Sequence, residues 1–247
     1  MNRTDKKTHS KEERVKRVLF WTVMATMVAA LIYTVVRFIA APVSADPNAE
    51  GVKVKGDYTL MMFQSAMGII SMLLPSFIAR KLKIEIPNFM EIMFIIFLYA
   101  AIYLGEVRSF FYLIPFWDTI LHSLSAFMTA ALGFFIVDLL NSNKQVRMML
   151  SPLFLAVFAF CFSVSIGAVW EIFEFAVDGI LGVNMQKFRL EDGTQLIGRT
   201  ALEDTMYDII VDAGSALVMS AVGYFVIKRR DRTAKNNSEK EELTRDE

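Results

Sequence analysis

Residues 152–181 have the sequence PLFLAVFAFCFSVSIGAVWEIFEFAVDGIL, a run that is apolar for most of its length. At about 1.5 Å per residue, a helix over this run is long enough to cross the roughly 30 Å hydrocarbon core of a bilayer. The run nevertheless contains the carboxylates Glu171, Glu174 and Asp178. Because a charge in the middle of a spanning helix costs roughly 2.5–3.5 kcal/mol, carboxylates retained there indicate a functional site.

Further apolar segments lie on both sides of this run, at 18–41, 58–79, 89–105, 117–140 and 203–227. Each is close to the length that a spanning helix needs. The aromatic stretch 109–116 is too short to span and is expected at the membrane interface. Of the 247 residues 55% are hydrophobic, and charges crowd into the two ends of the chain. The pattern predicts an all-α integral membrane protein, a bundle of about six transmembrane helices.

The charges divide the chain into three parts: a basic N-terminal segment at 1–17, a transmembrane domain at 18–227 and a charged, disordered tail at 228–247. Lys and Arg are richer in the flanks on the side that carries both termini than in the loops on the other side. Cytoplasmic loops carry this excess, so both termini are expected in the cytoplasm. The sequence Val43-Ser44-Ala45 after the first apolar run resembles a signal-peptide cleavage site, but the length of that run favours an uncleaved anchor.

Ionisable residues inside or at the ends of the apolar segments recur at helical spacing. Within each segment they are three or four residues apart, which places them on one helix face. With the termini inside, the deeper ones lie roughly 8–15 Å below the outer ends of their helices, in the outer leaflet. They are Glu106, Asp118, His122, Glu171, Glu174, Asp178, Asp204, Asp208 and Asp212.

Carboxylates so close together need a bound cation, shared protons or nearby arginines, for which Arg108 and Arg199 in the outer loops are the candidates. Oxygen ligands with one imidazole suit a divalent cation such as Mg²⁺, Mn²⁺, Ca²⁺ or Zn²⁺. The predicted ligands are Asp118, His122, Glu171, Glu174 and Asp208, supported by Glu106, Asp178, Asp204 and Asp212. Two alternatives stay open: Glu106, Asp178 and Asp204 cap helix ends, and His122 is a satisfied core histidine. The lone cysteine, Cys161, is expected to be buried.

Three polar blocks carry a family resemblance: residues 117–122 (WDTILH), 170–174 (WEIFE) and 204–214 (DTMYDIIVDAG). Together they resemble the YjdF-type family of uncharacterised bacterial membrane proteins over about residues 90–225. The last third also resembles VanZ-like proteins, with Arg199, Asp208, Gly214 and Gly223 at the matching places, although Asp212 stands where an Asn is expected. The resemblance implies a bacterial cytoplasmic membrane protein with a role at the cell envelope, and it supplies no reaction.

Two classes of function follow from the polar cluster. In an enzyme, a cation would polarise a lipid or cell-envelope precursor, Glu171 or Glu174 would act as general base, and Arg108 or Arg199 would bind an anionic headgroup. In a proton- or cation-coupled transporter, the same carboxylates would load and release the ion. A non-catalytic accessory subunit is the third alternative. With 26 basic and 26 acidic residues, the chain has no basic field for nucleic acid.

Overall fold

The computed structural model describes residues 3–43, 52–142, 150–190 and 194–243. In this part of the chain, the regular elements are helical. They are α1 (Arg3–Ala40), α2 (Lys55–Leu82), α3 (Asn88–Leu98), a π-helical segment (Tyr99–Val107), α4 (Phe110–Leu113), α5 (Trp117–Ser142), α6 (Pro152–Leu181) and α7 (Arg199–Leu243).

Within the described residues, six helices are long and apolar enough to cross a membrane. The all-α prediction with six candidate spans is therefore confirmed. Large apolar side chains on these spans are exposed, as Ile180 is at 80%, which is the pattern expected of helices that face lipid. The spans are Lys11–Ala40, Lys55–Leu82, Asn88–Val107, Trp117–Leu140, Pro152–Leu181 and Arg199–Thr233.

Local chemistry explains where the second span begins and ends. The Asp57 carboxylate accepts a hydrogen bond from the Val54 backbone N–H at 2.8 Å, which satisfies a donor at the helix start. Helix α2 ends at Lys83, whose backbone is left-handed with φ 53°, and the Ile84 N–H bonds back to the Ala79 carbonyl at 3.1 Å. These bonds turn the chain toward α3.

The third span changes from α-helix to π-helix at Tyr99. The Phe111 ring of α4 packs directly on Gly105, where an added Cβ would stand 2.8 Å from the ring Cζ atom. Only glycine leaves room for this contact, which folds α4 back against the π-helical segment. The segment buries Glu106, which is 9% exposed. Inserted π turns are frequent at functional sites because they re-aim side chains.

The chain forms two compact units, one comprising Met1–Leu121 and Trp170–Asp208 and the other His122–Val169 and Ile209–Glu247. We call them unit 1 and unit 2. One buried apolar cluster of unit 1 centres on Met27, Met72 and Ile95. A second cluster packs Leu60 against Val183 and other apolar residues of the α6 end and the loop after it.

Unit 2 is held by small residues and hydroxyl groups. Gly133 lies against Ala159, with an ideal Cβ 3.1 Å from the Ala159 Cα. The Ser163 hydroxyl donates to the Ala126 carbonyl at 2.9 Å and lies 2.7 Å from the Thr129 hydroxyl. Close backbone approach and interhelical hydroxyl bonds are typical of helices packed in membranes.

The structure differs from the sequence expectations at two places. Helix α7 continues to Leu243, although the sequence predicts a disordered tail from residue 228; Lys, Arg and Glu are good helix formers and extend the helix beyond its apolar part. Cys161, expected to be buried, is exposed on its span, since a cysteine on a spanning helix is apolar enough to face lipid. Residues 44–51, with most of the considered cleavage site, lie outside the described residues.

Candidate carboxylate and metal site

In unit 1, Asp118 of α5 and Asp208 of α7 meet. Their ligand oxygens lie within 4.8 Å of one another. Asp208 is 6% exposed. Two ionised carboxylates about 4 Å apart repel by about 4 kcal/mol even at an effective dielectric constant of 20. A cation or a proton would stabilise such a pair, and carboxylate oxygens from two helices are suitable ligands for a hard divalent ion.

His122 follows Asp118 by one turn of the continuous helix α5, and residues four apart share a helix face. Its side chain is buried. His122 belongs to unit 2, and that its imidazole ligates the same ion as Asp118 and Asp208 stays a prediction.

Lys187 supplies a positive charge to the carboxylates of unit 1. Burial alone would lower the pKa of its ammonium group, but the negative charges of Glu106, Asp118 and Glu174 outweigh burial and raise that pKa above its ordinary value. Lys187 therefore stays protonated and offsets part of the charge of the cluster. A loop lysine thus supplies the positive charge that was predicted to come from arginines.

The backbone around Lys187 holds its ammonium group in place. Lys187 has a left-handed φ of 52°, which is uncommon for a residue with a side chain and costs free energy. Its Nζ donates to the Met185 carbonyl at 3.2 Å and lies 4.3 Å from the centre of the Phe111 ring. A lysine over an aromatic face is attracted to the ring quadrupole, so carboxylates, carbonyl and ring together fix the ammonium.

Asp178, at the end of α6, builds the loop that carries Lys187. Its two carboxylate oxygens accept the backbone N–H groups of Met185 at 2.7 Å and Gln186 at 3.0 Å. The Gln186 amide in turn donates to the Thr205 hydroxyl of α7 at 2.9 Å. Asp178 thus supports the loop that carries Lys187 and does not cap a helix N-terminus; that it also supports a metal site stays a prediction.

The other acidic residues predicted on α6 and the π-helical segment are also buried. Glu171, Glu174 and Glu106 are 4%, 9% and 9% exposed. Glu174 and Glu106 contribute to the field at Lys187. That Glu171 and Glu174 ligate the same ion as Asp118 stays a prediction.

Asp212 and His122 form a buried pair in unit 2. His122 Nδ1 lies 3.3 Å from Asp212 Oδ1. The Asp212 carboxylate packs on Gly167, where an ideal Cβ would be 3.0 Å from the Asp212 Cγ. A carboxylate on one ring nitrogen fixes the orientation of the imidazole. Asp212 therefore has the geometry of a positioning residue.

The arginines predicted to bind a headgroup are on the surface. Arg108 is exposed. The Arg199 side chain is 93% exposed, and its Nε lies 3.7 Å from Glu203 Oε1. Asp204, next to Glu203, is half-buried. Arg108 follows the π-helical segment and Arg199 begins α7; that they bind a headgroup stays a prediction.

The six spans and their buried polar residues define the class of the chain, an all-helical, multi-pass membrane protein. The chain belongs to the family described as predicted membrane protein (DUF2238), whose model matches residues 19–229. The expectation of an uncharacterised membrane-protein family is thereby confirmed.

An uncharacterized protein of Thermotoga maritima is 30% identical to this chain over 141 residues. That match covers 57% of this chain and 64% of the relative, so the chain spans less than two thirds of that protein. No solved structure matches the chain. Neither the family description nor the relative names an activity, so the chemistry of the site rests on its own residues.

Proposed function

We propose that this protein is a divalent-cation-dependent enzyme of the bacterial cytoplasmic membrane that acts on a lipid or a lipid-linked precursor of the cell envelope. The approach of the Asp118 and Asp208 oxygens to within 4.8 Å carries the proposal. Two acidic residues from different spans come together inside apolar helices, where a charge without compensation is costly. A bound Mg²⁺, Mn²⁺ or Zn²⁺ would stabilise this pair and would give the site its chemistry.

The excess of negative charge around this pair supports a cation as the ligand. Glu106, Glu174 and Asp118 all act on the single ammonium group of Lys187. These carboxylates and Asp208 together concentrate negative charge in unit 1, and such a concentration favours the binding of a cation. His122, one turn beyond Asp118, would be its nitrogen ligand, oriented through the Asp212 pair.

The acidic residues of α6 would complete the reaction. Asp118 and Asp208 would hold the cation, which would supply Lewis-acid polarisation of a phosphoryl or acyl group, and a water molecule would attack the phosphorus or carbon atom of that group. Glu171 or Glu174, both buried, takes the proton of that water as general base. The leaving group departs with a proton returned by the same carboxyl group. Arg108 and Arg199 stay candidate contacts for the part of a headgroup that lies outside the spans.

The orientation of the chain sets the side on which this reaction takes place. The distribution of Lys and Arg along the sequence supports both termini in the cytoplasm. The ends of α6 and the π-helical segment and the starts of α5 and α7 would then lie in the outer leaflet. The substrate would then be a lipid of the outer leaflet or a lipid-linked precursor located in that leaflet.

The enzyme proposal is tested with the purified full-length chain and a total polar lipid extract. Mass spectrometry should detect loss of one lipid class, or of an added lipid-linked precursor, when Mg²⁺, Mn²⁺ or Zn²⁺ is present. Addition of EDTA or the Glu171→Gln change should reduce this loss at least a hundredfold, and Asp138→Asn, an exposed carboxylate at the other end of α5, should not. If every metal leaves the lipids unchanged while proteoliposomes show proton or cation flux, the transporter alternative replaces the enzyme.

A further inference from the structure

A half-open cavity lies in unit 1 where α1 ends and α2 begins. Its volume is about 510 Å³, within the range of small-molecule sites. Its polar lining residues are basic and phenolic: Arg37, Lys53, Tyr33 and Tyr58. Among the described residues that line it there is no carboxylate, in contrast to the acidic cluster of the same unit.

Arg37 is held at this cavity by a tyrosine. Its Nε donates to the Tyr58 hydroxyl at 3.2 Å, and the guanidinium stands over the Tyr58 ring at 5.9 Å from its centre. Tyr58 is itself fixed, since it is 4% exposed. In the described ranges of the chain, no acidic side chain pairs with Arg37. The two terminal nitrogens of a guanidinium held at Nε form a fork that matches two oxygens of a phosphate.

The depth of Arg37 suits a lipid headgroup. It lies three residues before Ala40, the end of the first span, and so about 4.5 Å along the helix from that end. Arginine and tyrosine at this depth meet the phosphate layer of a bilayer. Tyr33, one turn earlier, is 52% exposed and leaves the cavity open on that side.

Lys53 connects the cavity to the carboxylate site. Its Nζ donates to the Ser109 hydroxyl at 2.8 Å, and the Ser109 N–H bonds to the Glu106 carbonyl at 3.2 Å. A ligand that contacts Lys53 in the cavity is thus linked, through the Ser109 residue, to the π-helical segment that carries Glu106.

We infer that Arg37, Lys53, Tyr33 and Tyr58 bind a phosphate group, and that in the membrane this is the phosphate of the anionic lipid on which the adjacent site acts. The second half of the inference rests on the proposed function, while phosphate binding itself does not. The positive cavity holds the phosphate by charge-assisted hydrogen bonds, and the acidic cluster beside it takes a cation. The substrate class is therefore a lipid phosphate ester.

Thermal unfolding of the full-length chain in an uncharged maltoside detergent tests this binding. Dihexanoyl phosphatidic acid, added with EDTA present, should raise the unfolding temperature in a saturable way, and dihexanoylglycerol, which lacks the phosphate, should not. Arg37→Gln and Lys53→Gln should each weaken the apparent affinity about tenfold or more. Arg37→Lys, which keeps the charge without the fork, should lose part of it. Lys55→Gln is the matched control, because Lys55 stands over the Phe38 ring and outside the cavity.

The outcomes distinguish a lipid phosphate from free inorganic phosphate as the ligand. They also distinguish a failure of phosphate binding from a failure of the proposed enzyme function. Stabilisation by inorganic phosphate alone, equal to that by the lipid, would support the cavity as a phosphate site and contradict the lipid as its ligand. No stabilisation by either, or an equal loss in Lys55→Gln, would overturn the site. Because EDTA is present throughout, a failure of metal binding at Asp118 and Asp208 leaves this result unaffected.

Discussion

The Nδ1 atom of His122 and the Oδ1 atom of Asp212, on helices α5 and α7 of unit 2, lie 3.3 Å apart in a buried pair. The Asp212 carboxylate owes its position to the missing side chain at Gly167. A charged group buried between helices must be paired or hydrogen-bonded, and here a glycine provides the space for one partner.

Gly167→Ala is expected to destabilise the protein by about 1–3 kcal/mol, because the added methyl would overlap the Asp212 carboxylate. Gly179→Ala on the same helix is the control, since no atom lies within 4 Å of its ideal Cβ. Alanine has the higher helix propensity, so this control should be neutral or slightly stabilising. Thermal or denaturant unfolding of both variants gives the comparison. Equal unfolding free energies for the two variants would contradict the close packing of the Asp212 carboxylate on Gly167.

Lys187→Gln is expected to destabilise the protein by about 1–3 kcal/mol, because Glu106, Asp118 and Glu174 lose the ammonium that offsets them. The control is Lys81→Gln, which removes another lysine over a ring, that of Phe77. This control should cost less than half as much. The measurement is the unfolding free energy of each variant against the wild type.

The same ammonium predicts a pH dependence. The carboxylates raise the pKa of Lys187 in the folded protein, so its contribution is fully present below the unfolded value of about 10.4 and is lost as pH rises through the folded value. The difference between wild type and Lys187→Gln should therefore be constant between about pH 6 and pH 9. A difference that disappears within this window would mean that Lys187 is neutral in the folded protein.

Cysteine labelling in a Cys161→Ser background tests the proposed orientation. Ile197→Cys, in the loop after α6 where Ile197 is 84% exposed, should react with a membrane-impermeant maleimide on intact cells. Glu85→Cys, in the exposed connection between α2 and α3, should react only after the membrane is opened. The reverse pattern would place the carboxylate site in the inner leaflet and would remove the argument for an outward-facing substrate.

The spans could be predicted because the length of an apolar run is a physical requirement of the bilayer. The sequence boundaries at 117–140 and 152–181 coincide with the spans Trp117–Leu140 and Pro152–Leu181. The grouping of Asp118 with His122, and of Asp208 with Asp212, follows from helical period in the same way.

Lys187 could not be predicted, because its place depends on a loop. Three features determine the position of the Lys187 ammonium group. They are the left-handed backbone at Lys187, the hydrogen bonds that Asp178 accepts from two backbone N–H groups and the Phe111 ring. None of these features produces a periodic pattern in the sequence, so none could be recognised from residue spacing. The one available signal was the Asp178 carboxylate at the end of an apolar run, a common acceptor for loop N–H groups. Arg37 carries no sequence signal either, because a basic residue near the end of a span is ordinary.

The metal content of the purified wild-type protein tests the central claim most directly. The account predicts close to one Mg²⁺, Mn²⁺ or Zn²⁺ per chain, and a rise in unfolding temperature on metal addition that Asp118→Asn and Asp208→Asn abolish and Asp138→Asn retains. A metal-free protein that no divalent ion stabilises, and that Glu171→Gln makes more stable at neutral pH by removing a buried charge, would contradict it.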